Sequence, residues 1–223
     1  MTSHTRRPIT RLLIANRGEI ACRIARTARR MGIETVGVYS EPDRNALHVD
    51  AVDIAVALGG ATPAESYLRG DTIIAVASDT GCDAVHPGYG FLAENPDFAA
   101  AVLAAGLAWV GPTPAQIRLL GDKVAAKRAA VGAGVPTTPI VELSGTGDVD
   151  EIARLAATLA MPVLVKAAAG GGGRGMRTVR DAAELADAVQ SASREATASF
   201  GDGTVFIEPY IDHGRHIEVQ IVG

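Results

Sequence analysis

Residues 162–179 read PVLVKAAAGGGGRGMRTV. The apolar run Val163 to Val165 has the make-up of a buried strand and ends on Lys166; four consecutive glycines, Gly170 to Gly173, then Arg174 and Gly175 follow, and Arg177 to Val179 is again extended. The pattern predicts strand, glycine loop, strand. Four glycines in a row maximise backbone entropy and pack against nothing, so a folded chain keeps them where a side chain would obstruct something. A phosphate chain fits as that obstacle, because bare N–H groups can cradle oxyanions while Lys166 and Arg174 supply positive charge. A Walker A loop would need Gly-Lys-Ser/Thr opening a helix, and a dinucleotide fingerprint would set its glycines at a strand-to-helix turn; neither is present. The competing reading is a flexible linker, which would be Ser-rich and lack an apolar strand on each side. A glycine hairpin folding like a flap over a nucleotide is the expectation.

The chain has 223 residues, enough for one large domain or two small ones. With 48% hydrophobic residues but only 4% aromatic, its core must be built from Ala, Val, Ile and Leu, as buried parallel strands under Ala-rich helices are. A net charge of −4 argues against a general nucleic-acid binder. No apolar run approaches the roughly 20 residues of a membrane span, and the first eight residues, MTSHTRRP, lack an apolar core and read as a disordered tail. A cytoplasmic protein is expected. Cys22 and Cys82 have no metal-ligand spacing and read as buried reduced thiols.

In chain order, Arg11 to Ala15 predicts a strand, Asn16 to Gly18 a turn, and Glu19 to Met31 a helix with Ile20, Ile24, Ala28 and Met31 on one stripe. Thr35 to Tyr39 is the next strand, so the chain opens with a right-handed βαβ unit. Further strands are predicted at Ile54 to Leu58, Ala84 to His86 and Trp109 to Gly111, with helices at Thr72 to Ser78 and Asn95 to Ala105. This alternation predicts an open parallel sheet whose ligands sit beyond the carboxyl ends of its strands. The stretch His86 to Leu92, HPGYGFL, falls at such an end and reads either as a ligand-approaching turn or as a structural turn with a packed aromatic. A helix over Gly121 to Gly132 carries Lys123 and Lys127, read by default as solvated, and the Pro- and Thr-rich segment Gly134 to Pro139 suggests a domain boundary.

Beyond it, helices are predicted over Asp148 to Leu159 and Asp181 to Phe200, the second opened by an Asp181/Glu184 capping box and carrying Leu185, Val189, Ala192, Ala196 and Phe200 as its apolar stripe. Val205 to Tyr210 and His216 to Val222 predict strands. In the latter His216, Glu218 and Gln220 share one face, either as a site wall or as an ordinary half-exposed surface.

Five ordered motifs, IANRGEIACRI (Ile14 to Ile24), HPGYGFLAEN (His86 to Asn95), GDKVAAK (Gly121 to Lys127), VKAAAGGGGRGMR (Val165 to Arg177) and FIEPYIDHGRHIEVQ (Phe206 to Gln220), resemble biotin carboxylase, the ATP-grasp component of acetyl-CoA, propionyl-CoA and pyruvate carboxylases. The resemblance runs from about Ile9 to the last residue. It implies an α/β chain: a Rossmann-like, parallel-sheet N-terminal domain over residues 8–120, a connecting helix and linker over 121–139, a small α+β ATP-grasp lid subdomain with the glycine loop over 140–208, and the start of the ATP-grasp core over 209–223.

The resemblance also implies roles. Lys123 and Lys166 are similar to the lysines that reach the ATP phosphates, with Gly171, Gly172 and Gly173 closing over them. Glu208 and the backbone around Ile211 correspond to the adenine contacts, and His216 to the histidine near the ribose and phosphates. Tyr89 and Gly90 resemble part of the wall where biotin and bicarbonate meet. The implied reaction phosphorylates bicarbonate with ATP to carboxyphosphate and passes the carboxyl group to biotin on a carrier domain, feeding a carboxyltransferase and, in acetyl-CoA carboxylase, fatty acid biosynthesis. Magnesium or manganese would accompany the nucleotide, on family glutamates expected downstream of Gly223, and a homodimer is expected. The chain therefore reads as an N-terminal fragment, inactive alone, with no catalytic residue of its own and no metal ligand. Pro209 stands where the family usually has a lysine, Ala169 where another glycine is usual and Ala93 where a serine is frequent. The alternatives are another ATP-grasp ligase, of the carbamoyl-phosphate or glycinamide-ribonucleotide type, or a non-catalytic nucleotide-binding or dimerisation module.

Overall fold

The computed structural model describes residues 8–143, 151–152, 154, 158–168, 176–215, 217 and 219. The chain divides into two compact units, the first reaching Arg118 and the second spanning Leu119–Gln220.

The first unit is a doubly wound α/β layer. Its strands are β1 (Arg11–Ile14), β2 (Glu34–Tyr39), β3 (Ile54–Ala57), β4 (Ala84–His86) and β5 (Ala108–Trp109), all parallel in the order β3-β2-β1-β4-β5. In register, Leu13 lies beside Val36 on one side and Val85 on the other. Helices α1 (Gly18–Arg30) and α2 (Leu47–Ala51), then α3 (Gly70–Asp79) and α4 (Pro96–Ala104), connect them. Because both sheet faces are covered, the central strands carry buried residues at consecutive positions, Leu12 to Ile14 in β1 and Thr35 to Val38 in β2, rather than alternating. Leu13, Val36, Val38 and Val85 pack with Ile73, Ala77, Phe98 and Val102 on one face; Leu12, Ile14 and Ala84 pack with Ala21, Ile24, Ala25 and Ala28 of α1 on the other. Each fully buried Leu, Ile or Val stabilises by about 1.5–3 kcal/mol, so this two-sided core carries the unit. The expected α1 stripe differs at its end: Met31 is the C-cap and 68% exposed, because Gly32 turns the chain at φ +73° before the next side chain could reach the sheet. Cys82 is buried as expected and its thiol is pushed up by burial, while Cys22 is only half-buried.

The second unit opens with α5 (Pro114–Gly121), which starts in the first, and α6 (Lys123–Gly132). The helix predicted over Gly121 to Gly132 is α6, and α5 ahead of it is an addition: between them Asp122 leaves the helical path, and its Oδ1 accepts from the N–H groups of Val124 at 2.8 Å and Ala125 at 2.9 Å. An antiparallel sheet follows, β6 (Val141–Glu142), β7 (Val163–Ala167), β8 (Met176–Val179) and β9 (Val205–Pro209) in the order β6-β9-β7-β8. Helix α7 (Leu185–Phe200) lies on one face, with Leu185, Val189 and Ala192 against Val163, Val165, Val205 and Ile207. The capping box expected at Asp181 and Glu184 does not form; Asp181 Oδ1 caps Ala183 N at 3.0 Å, and a 3-10 turn at Ala182–Glu184 precedes α7. Ile217 and Val219 are exposed, and the other residues of the strand predicted over His216 to Val222 lie outside the described residues. The N-terminal tail, Gly171, Gly172, Gly173, Arg174, His216, Glu218 and Gln220 lie outside the described residues. Among the described residues no helix is long and apolar enough to cross a membrane.

Candidate functional site

Strand β7 places Val163 and Val165 on the α7 face, so Leu164 and Lys166 point to the opposite one. In β9 the same parity puts Val205 and Ile207 toward α7 and leaves Phe206 and Glu208 opposite. The register pairs Leu164 with Glu208 and Lys166 with Phe206, so Lys166 and Glu208 are diagonal neighbours on one face, within reach of long side chains. Helix α6 covers that face through Val124, which packs with Phe206 and Ala168. Lys127 lies one turn after Lys123, on the same side of α6.

These elements assemble a cluster of charges. Lys127 Nζ donates to Glu208 Oε2 at 2.5 Å, to Thr138 Oγ1 at 2.6 Å and to the Thr138 carbonyl at 3.2 Å, which uses all three of its protons. Thr138 Oγ1 donates in turn to Glu208 Oε2 at 3.2 Å. Lys166 Nζ holds the other oxygen, Oε1. The Glu208 side chain is only 9% exposed, and those of Lys127 and Lys166 are 23% and 24% exposed.

Electrostatics follow from the count. Burial pushes the Glu208 carboxyl up, but the hydrogen bonds from Lys127 and Lys166 outweigh it and hold the group below the usual carboxylate range. Lys123 is held below the ordinary lysine value, first by burial and then by repulsion from Lys166. Two ammonium groups thus hold the buried carboxylate, with a third, Lys123, near enough to Lys166 to be repelled by it, an arrangement that suits an incoming anion. Beside it, Lys127, Val131, Thr137, Thr138, Pro139 and Ile140 line a cavity of 230 Å³. Ile211, three residues beyond Glu208, is 61% exposed in the loop that leaves β9.

The first unit holds the other predicted residues. Gly88 and Gly90 both adopt φ +66°, and a Cβ on Gly88 would stand 2.8 Å from Asn16 Nδ2. Asn16 is buried and its amide donates to the carbonyls of Pro87 and Tyr89 at 2.7 Å each, pinning the turn to the end of β1. His86, held below the ordinary histidine value by burial, accepts from Gly88 N at 3.0 Å through Nδ1. Tyr89 projects outward, its hydroxyl donating to Glu19 Oε1 at 2.6 Å.

Comparison with known proteins shows which family the chain resembles. The sequence profile described as biotin carboxylase, N-terminal domain, matches residues 8–117, and that described as carbamoyl-phosphate synthase L chain, ATP binding domain, matches residues 122–223. The chain is 49% identical to a biotin-dependent acyl-coenzyme A carboxylase alpha3 subunit of Mycobacterium leprae over 100% of its own length. The chain belongs to the biotin carboxylase family. Within that family it is 47% identical to the biotin carboxylase of Pseudomonas aeruginosa over 96% of this chain. Among solved structures it is similar to the Campylobacter jejuni biotin carboxylase in complex with β,γ-ATP, with a TM-score of 0.87 and 43% identity over 92% of this chain and 46% of that one. It is likewise similar to the biotin carboxylase domain dimer of Hydrogenobacter thermophilus 2-oxoglutarate carboxylase, which holds MgADP, ADP and bicarbonate, with a TM-score of 0.84 and 42% identity over 93% of this chain and 45% of that one. The chain spans 37% of the M. leprae relative and 48% of the P. aeruginosa one.

For a biotin carboxylase family chain, the predicted Lys123, Lys166 and Glu208 fall in one unit and around one point, while Tyr89 and Gly90 belong to the other unit. Lys127 and Thr138 escape the sequence reading, which treats Lys127 as a solvated surface lysine. The available signal was the four-residue spacing from Lys123, which sets both on one helical stripe; the carboxylate that Lys127 meets is 81 residues away.

Proposed function

We propose that this chain forms the N-terminal domain and the nucleotide-binding part of a biotin carboxylase, which uses ATP and bicarbonate to carboxylate biotin. The observation that carries the reading is the pair of ammonium groups, Lys127 and Lys166, on the buried carboxylate of Glu208, with Lys123 close enough to Lys166 to be repelled by it. In this reading Lys123 and Lys166 meet the ATP phosphates and Gly171, Gly172 and Gly173 cover them. Glu208 and the backbone near Ile211 receive the adenine, His216 lies toward the ribose, and Tyr89 and Gly90 line the place of biotin and bicarbonate. Residues 8–120 then form the N-terminal domain, 121–139 the connection, 140–208 the lid and 209–223 the start of the ATP-grasp core.

Phosphoryl transfer asks for positioning and charge neutralisation more than covalent chemistry, so lysines suffice where a nucleophile would be idle. Bicarbonate oxygen takes the terminal phosphoryl group, giving carboxyphosphate and ADP, and the carboxyl group then passes to a biotin ring nitrogen with release of phosphate. Magnesium or manganese, bound with the nucleotide, supplies further neutralisation. Among the described residues no three His, Cys, Asp or Glu side chains converge to hold a metal ion, so none of them is assigned as its ligand. The partners are a biotin carboxyl carrier domain, a carboxyltransferase and a second copy in a homodimer, in the cytoplasm, with fatty acid biosynthesis as one destination. A ligase of the carbamoyl-phosphate type is the alternative that the description of the second profile raises, and the match over residues 8–117 favours the carboxylase.

The test is phosphate release by the intact protein given ATP, bicarbonate and free biotin. The rate should rise with biotin; hydrolysis indifferent to biotin, or none, would overturn the reading.

A further inference from the structure

We propose that Lys127, with Thr138, is a positioning residue that lets Lys166 leave Glu208 for the nucleotide without stranding a buried carboxylate. The proposal rests on the nucleotide-binding reading above and adds a residue to it. Glu208 is held through both oxygens by separate partners: Oε1 by Lys166, and Oε2 by Lys127 at 2.5 Å and Thr138 Oγ1 at 3.2 Å. Lys166 Nζ has protons enough for Glu208 Oε1 and a phosphate oxygen together, but it carries one charge, and sharing that charge with a phosphate weakens its hold on Glu208. Binding of the anion therefore loosens Lys166 from Glu208. With a 9% exposed side chain, Glu208 would then be a buried charge without a counter-ion, a state that costs several times a surface charge. Lys127 removes that cost. Its three protons are already committed to Glu208 and to two oxygens of Thr138, so it stays in place as Lys166 moves. The carboxylate remains ionised, fixed in orientation and acceptor-only, the form that receives an exocyclic amine of the base.

Among the described residues, the charged groups that face Glu208 are Lys127 from α6 and Lys166 from β7, and Lys123 acts on Lys166 by repulsion. Removing Lys127 leaves Glu208 with Lys166 alone. Release of Lys166 to phosphate then opposes burial of an unpaired carboxylate, and ATP affinity falls. When acid protonates Glu208 this opposition disappears, so the defect shrinks as pH falls. A simple loss of packing would have no such pH dependence.

The experiment compares wild type, Lys127→Met, Lys127→Arg, Thr138→Val and Lys166→Ala in the intact protein, reading KM for ATP and kcat from pH 8 down to the acid limit of activity, with circular dichroism to check folding. Lys127→Met should raise KM for ATP about tenfold at neutral pH, the loss of one charge-assisted hydrogen bond, with kcat little changed. The defect should narrow in acid, and Lys127→Arg should restore most of the affinity. Thr138→Val should show the same pattern, more weakly, and serves should Lys127→Met not fold. A KM that rises in Lys166→Ala but is unchanged in folded Lys127→Met and Thr138→Val overturns this inference and leaves nucleotide binding standing. Wild type with no affinity for ATP overturns both.

Discussion

Among the described residues each unit buries one carboxylate amid hydrogen-bond donors, and the two are balanced differently. In the first, Asp43 meets Arg17 through two oxygens, at 2.6 Å from Nε and 2.5 Å from Nη2, and accepts from Tyr67 Oη at 2.7 Å and Ser40 Oγ at 3.0 Å. One negative charge meets one positive charge, and neutral hydroxyls complete the shell. The hydrogen bond from Arg17, opposed by burial and helped by Tyr67 and Ser40, holds Asp43 far below the usual carboxylate range. In the second, Glu208 meets two ammonium groups with a third close by. A cluster that pairs one charge with one ties loops together; one in which two ammonium groups share a carboxylate holds a lysine that an incoming anion can recruit.

The largest effect is expected where the balance is complete. Asp43→Ala should destabilise the first unit by about 3 kcal/mol, since it strips Tyr67 and Ser40 of an acceptor and Arg17 of its counter-ion; half-exposed Arg17 recovers water and keeps the loss from growing further. Urea denaturation followed by circular dichroism measures it. A loss under about 0.5 kcal/mol, typical of a surface change, would mean that the cluster ties nothing together.

In the second unit the same kind of deletion should separate stability from binding. Lys166→Met leaves Glu208 paired one to one with Lys127 and relieves the repulsion on Lys123, so the urea midpoint should hold or rise. ATP affinity should nonetheless fall by about 1.5–3 kcal/mol, roughly ten- to a hundredfold, as a charge-assisted phosphate contact is lost. Calorimetry and denaturation on the same sample separate the two effects. A parallel loss of both would make the second cluster structural, like the first.

How much of this was visible beforehand depended on distance along the chain. The parallel sheet was legible because each strand is a short apolar run and each crossover carries its own helical period, as in Leu12 to Ile14 and Ala21 to Ala28. Lys166 and Glu208 were legible through their motifs. Lys127 and Thr138 were not, because an ammonium looks alike in sequence whether it meets water or a carboxylate 81 residues away. Asp43 and Arg17 were hidden for the same reason, being joined only once β1 and β2 lie side by side. The short helices α2 and α5 went unread because neither is long enough to display a period.

A pH series probes the first unit from another side. His48 is buried, its Nε2 lies 3.3 Å from the Val38 carbonyl and its Nδ1 has no partner among the described residues. Burial lowers its proton affinity, which the Val38 carbonyl and Asp43 only partly restore against Arg17. A folded pKa below the unfolded value means that the unfolded chain binds protons first as pH falls through about 6.5, so stability is complete above that pH and declines below it. Asp43 adds a second decline only in stronger acid, as pH falls below the ordinary aspartate range. Melting temperatures from pH 8 to pH 5 should show the first step, and His48→Gln should flatten it; an unchanged slope would assign the acid response to the carboxylates.

The smallest effect belongs to a third carboxylate, exposed where the other two are buried. Glu19 accepts from Tyr89 Oη at 2.6 Å in full contact with solvent, and water can replace either partner. Glu19→Gln should leave the urea midpoint within the scatter of repeat measurements. It should still let the Tyr89 hydroxyl titrate closer to its ordinary value, because the hydrogen bond to Glu19 and the charge of its carboxylate are what raise it. NMR of ring-labelled tyrosine across alkaline pH reads that change directly. A clear loss of stability would show that burial is not what separates a carboxylate that holds the fold from one that only decorates it.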